Sequence, residues 1–85
     1  MADIRIEALD ASNYLVTVIA QSTTMHTVTV QADYAQKLGE IDNIALLKKS
    51  FAFLLAREAN TSIMRSFDLS VISRYFAEYE SEMRR

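Results

Sequence analysis

Three stretches with the two-residue alternation of strands, followed by two stretches whose apolar residues step by three and four, predict an α+β fold. The arrangement expected is a three-stranded antiparallel β-meander followed by two main helices, plus a short connector helix, packed on one sheet face. The chain has 85 residues, enough for one hydrophobic core, so residues 1–85 are read as a single α+β domain.

Strand one is read over Asp3 to Leu9, where Ile4, Ile6 and Ala8 alternate with Arg5 and Glu7. Asp10-Ala11-Ser12-Asn13 gathers residues whose short polar side chains bond nearby backbone, which makes a hairpin into Tyr14 to Ala20. In that second strand Val16, Val18 and Ala20 share one face and Leu15 and Ile19 the other, so it is expected to be central and buried on both sides. Met25 to Ala32 forms the third strand, with Val28 and Val30 opposite Thr27 and Thr29.

The period then changes. Asp33 caps a short helical connector that ends at the only glycine, Gly39, in a left-handed conformation. Asn43 to Glu58 reads as a core helix capped by Asp42 or Asn43, with Ile44, Leu47, Phe51 and Leu54 on its apolar stripe. After an irregular piece from Asn60 to Phe67, Asp68 is placed to cap a last helix. Leu69, Ile72, Phe76, Tyr79 and Met83 line its inner face, with Arg74–Glu78 and Glu80–Arg84 as i,i+4 pairs.

Composition removes several chemistries. There is no cysteine, which excludes disulfides, thiolate nucleophiles and sulfur-ligated zinc. With one glycine the chain cannot build a phosphate cradle or a dinucleotide fingerprint, and no cofactor is expected. No apolar run reaches the length of a bilayer span, and Met1 to Asp10 lacks the apolar centre of a signal peptide, so a cytoplasmic protein without a membrane partner is expected. The net charge of −2 supplies no general attraction to nucleic acid, which would need a local patch.

Two segments carry a resemblance: SFAFLLARE over residues 50–58 and SFDLSVISRYFAEYE over residues 66–80. Together they resemble a family of short bacterial proteins that has no assigned activity. The resemblance covers mainly the C-terminal half; it implies a bacterial cytoplasmic protein and brings neither a substrate nor catalytic residues.

Three groups of residues remain as candidates. Tyr75, Phe76 and Tyr79 form an aromatic group on the last helix, suited either to the core or to recognition of another protein or a second copy. Arg57, Arg65 and Arg74 flank the Phe67-Asp68-Leu69 corner, where they would serve a nucleic-acid-associated regulator unless Glu58 and Asp68 neutralise them. His26, the one histidine, ends the inward-facing row of strand three, and an enzyme would use it as a base. The reading that best fits these exclusions is a non-enzymatic interaction or structural protein acting through a helix face or through a sheet edge such as Asp3 to Leu9.

Overall fold

The computed structural model describes residues 2–39 and 42–85; Met1, the first residue of the alternating N-terminal stretch, lies outside them. The N-terminal part is the expected antiparallel meander: β1 (Asp3–Ala8), β2 (Asn13–Ile19) and β3 (Thr23–Thr29). The first hairpin closes as its residues dictate. The Asp10 carboxylate accepts from the backbone N–H groups of Ser12 (2.9 Å) and Asn13 (2.8 Å), while the Leu9 N–H donates to the Asn13 carbonyl at 2.8 Å.

The sheet does not stop at three strands. β4 (Ser66–Asp68) runs parallel to β3, pairing Thr27 with Ser66 and Thr29 with Asp68, so the sheet is four-stranded and mixed, in the order β1-β2-β3-β4. Three residues are too few to display a period of two. The strand forms because the outer backbone groups of β3 need partners and because Phe67 fills the core beside Phe51, with ring centroids 6.3 Å apart.

The helices also depart from the expected plan. In α1 (Ala32–Lys37) the capping position is Gln31 and Asp33 lies within the first turn, while Gly39 beyond it has φ +115°, a conformation that favours glycine. In α2 (Asn43–Leu55) the Asp42 carboxylate caps by accepting from the Ala45 N–H at 3.1 Å, as the sequence signals. The expected single C-terminal helix is broken into a 3₁₀ turn (Leu69–Val71), α3 (Ile72–Tyr75) and α4 (Tyr79–Met83). The break falls at Phe76, which is extended at φ −132°, ψ 101°. The extended residue redirects the chain so that both pieces reach α2: Phe76 meets Phe53 edge-on at 5.7 Å and Tyr79 meets it at 5.3 Å. The expected Arg74–Glu78 pair is replaced by Arg57–Glu78 at 3.5 Å, whereas Glu80–Arg84 forms at 3.6 Å.

One face of the sheet carries the core. Val16, Val18, Val28 and Val30 are buried against Leu46, Leu47, Phe51 and Leu54 of α2 and against Leu69, Ile72, Tyr79 and Met83. The other face is open. Leu15 and Ile19 of β2 are only half-buried and Met25 of β3 is exposed, so β2 is interior within the sheet but is not buried on both sides. Among the described residues no helix is long and apolar enough to cross a membrane.

Candidate functional site

Between the end of α2 and the start of α3 the chain runs as a strut from Ala59 to Arg65, held to β3 and the turn before it by partly buried polar contacts. Asn60 is buried and donates its side-chain amide to the Ser22 carbonyl and to the Thr24 hydroxyl, both at 2.9 Å. His26 is buried as well. Its Nδ1 lies 2.7 Å from the Met64 carbonyl and its Nε2 lies 2.9 Å from Thr24 Oγ1. A carbonyl can only accept, so Nδ1 carries the hydrogen. Thr24, already accepting from Asn60, then donates its own hydrogen to Nε2. The Thr27 N–H completes the seam, donating to the Arg65 carbonyl at 2.7 Å.

This seam defines the role of His26 in the fold. Both ring nitrogens are occupied by intramolecular partners, and the ring packs against Phe51 with centroids 5.4 Å apart. His26 is 1% exposed, so neither ring nitrogen is open to a substrate from solvent. Among the described residues every buried side-chain nitrogen and oxygen has a hydrogen-bond partner.

The strut, the C-terminal turn of α2 and α3 enclose a groove of about 430 Å³. Leu54 and Glu58 line it from α2, Ile63 and Met64 from the strut, and Tyr75 and Phe76 from α3 and the break that follows. The floor is apolar, and two large side chains at its rim stay in solvent: Tyr75 is 70% exposed and Met64 42%. Among the described residues, half-buried Glu58 is the one charged residue in its lining.

The aromatic group of the last helical segment is divided among three environments. Tyr79 is fully buried, with its hydroxyl 2.7 Å from Ser50 Oγ; Phe76 is half-buried against Phe53; Tyr75 projects outward. The arginines are also separated by role. Arg57 lies 3.6 Å over the Phe53 ring, donates to the Phe53 carbonyl at 2.9 Å and faces Glu78, so its charge is largely used within the fold. Arg65, on the strut, and Arg74, in α3, are exposed. Glu78, Glu80 and Glu82 face three different sets of partners: Arg57 for the first, Lys37, Arg84 and the Tyr34 hydroxyl for the second, and Arg85 for the third. Among the described residues no group of three His, Asp or Glu side chains is placed to hold a metal ion.

Met64 is the groove residue that sequence reading overlooked. It lies in an irregular stretch, where apolar spacing carries no message about facing; the one available signal was a large apolar residue outside both stripes. No family model matches the chain, and no curated protein or solved structure matches it either.

Proposed function

We propose that the protein is a small interaction domain that binds a short segment of another protein in the groove between α2, the strut and α3. The observation that carries this reading is the exposure of Tyr75 and Met64 above an apolar concavity, while among the described residues every buried side-chain nitrogen and oxygen has a partner within the fold. A group that contributes nothing to its own core and sits at the rim of a concavity is placed to gain contacts from outside. The segment accommodated would carry bulky apolar side chains for the floor and a lysine or arginine for Glu58.

The nucleic-acid alternative built on Arg57, Arg65 and Arg74 has less support, since Arg57 is spent on Phe53 and Glu78. The enzymatic alternative draws none from His26, whose nitrogens hold the strut.

The test is selection of random twelve-residue peptides on the full chain, followed by titration of the best binder against variants. Tyr75→Ala and Met64→Ser, both at exposed positions, should weaken binding about tenfold or more, and Glu58→Gln about threefold. Binders that tolerate all three substitutions would place the interaction elsewhere and remove the reading.

A further inference from the structure

β1 is an edge strand, and its free side has a definite phase. The Leu9 N–H donates to the Asn13 carbonyl of β2, and backbone groups in an antiparallel ladder alternate in direction. Asp3, Arg5 and Glu7 therefore spend their N–H and C=O groups on β2, while those of Ile4, Ile6 and Ala8 point away from the sheet. Among the described residues no other strand pairs with this edge. The pairing with β2 is continuous from Asp3–Ile19 to Ala8–Tyr14, with no bulge, and the chain has no proline. Two of the usual devices that stop an edge from pairing are thus missing.

We propose that two copies of this chain pair through β1, antiparallel about a twofold axis at Ile6, so that Arg5 of each copy faces Glu7 of the other. The charge pattern selects this register. Continuity of the two sheet faces requires odd residues to face odd residues. Centring the axis on Arg5 sets Arg5 against itself and, twice by symmetry, Asp3 against Glu7, which makes three like-charge pairs. Centring it on Ile4 sets Asp3 against Arg5 but moves half of each strand beyond the end of the other. Centring it on Ile6 joins Ile4 with Ala8 and Ile6 with Ile6 through the free backbone groups, and puts Arg5 and Glu7 in the closely spaced positions between those bonds.

The side chains are available for this. Arg5 is exposed and turned toward Asp3 at 3.2 Å, on the same open face as Glu7. Ile4 and Ile6, half-buried at the margin of the core, would lose remaining exposure against Ala8 and Ile6 of the second copy. The twofold axis is perpendicular to the sheet, so both helical layers fall on one side of a continuous eight-stranded sheet. This inference does not depend on the groove, which lies at the opposite end of the strand order, beside β4.

Sedimentation equilibrium of the full chain tests it. The expected wild-type result is a dimer. Ala8→Pro removes an N–H that points outward from an exposed position, so the fold should persist by circular dichroism while the dimer dissociates. Arg5→Glu and Glu7→Arg should each raise the dissociation constant about tenfold, and the double exchange should restore it to within about threefold. Glu7→Arg separates the registers: it weakens the dimer only with the axis on Ile6, leaves it unchanged with the axis on Ile4 and strengthens it with the axis on Arg5. A monomeric wild type, a dimer that survives Ala8→Pro, or a charge exchange that fails to restore affinity would each overturn the proposal. Loss of the dimer in Tyr75→Ala would instead place the second copy in the groove.

Discussion

Ser50 occupies the middle of α2 with no exposure, a position that a hydroxyl can hold only if its bonds are complete. Its hydrogen goes to the Leu46 carbonyl at 2.7 Å, so the Tyr79 hydroxyl, also 2.7 Å away, is the donor to Ser50 Oγ. The two ends of this bond are unequal. Tyr79→Phe leaves Ser50 its bond to Leu46 and should cost about 1 kcal/mol, whereas Ser50→Ala strands a buried phenol and should cost about 2 kcal/mol. The double variant should cost less than the two added together, because both changes remove one interaction. Urea unfolding of the four proteins reads this directly, and simple additivity would show that the hydroxyls act independently. His26 follows the same logic. Its type and inward phase are visible in the alternation of β3, but its partners Thr24 and Met64 are not, because they depend on where the strut lies.

At the scale of elements, the helix boundaries divide into those set by local chemistry and those set by neighbours. Asp42 capping Ala45 and Gly39 at φ +115° belong to the first class. A Cβ built on Gly39 meets nothing within 4 Å, so Gly39→Ala is penalised by backbone conformation alone. We expect a loss of about 1–2 kcal/mol for Gly39→Ala and about 1 kcal/mol for Asp42→Ala, measured by thermal unfolding. A stabilised Gly39→Ala would mean that the turn can move to a negative φ. The break at Phe76 belongs to the second class. The residues at 69, 72, 76, 79 and 83 keep the spacing of one straight helix, and each does face inward, yet the backbone between them is extended at Phe76. The stripe reports which residues turn inward and not whether the backbone linking them is helical.

Over the whole molecule, polar contacts predict how stability varies with pH. The carboxyl of Asp10 is held below the usual range by the Asn13 side chain and by the backbone N–H groups of Ser12 and Asn13. Burial raises that of Asp68, but hydrogen bonds from Ser70 and Gln31 outweigh it, and the net shift is downward. Glu80 is lowered chiefly by the Tyr34 hydroxyl and then by Lys37 and Arg84, with burial opposing. A lowered carboxyl contributes stability at neutral pH that is lost as pH falls through its folded value, so stability should decline below about pH 4. The phenols work in the opposite direction. Burial and Glu80 push Tyr34 up to about 12, and burial raises Tyr79 further. A raised phenol contributes stability that is complete below about pH 10 and is lost as pH climbs through the folded value. Urea midpoints should therefore be level from about pH 5 to 9.5 and fall on both sides, and Tyr34→Phe should flatten the alkaline limb. An alkaline limb unchanged by that substitution would assign the loss to other groups.

The sequence by itself determined the α+β class, the antiparallel meander with its Asp10 turn, a cap for α2 at Asp42 or Asn43, and which face of each long element turns inward. These are governed by contacts within a few residues or by a period repeated often enough to read. Tertiary structure alone decided that Ser66–Asp68 becomes a fourth, parallel strand, that the last helix breaks at Phe76, that Tyr75 and Met64 line one groove, and that the Tyr79 hydroxyl finds Ser50. Each of those outcomes joins residues far apart in the chain: β4 with β3, the strut with His26, and Tyr79 with Ser50. Their free energy comes from satisfying backbone and side-chain groups that have no partner until the sheet and α2 have come together, and no local pattern in the sequence encodes it.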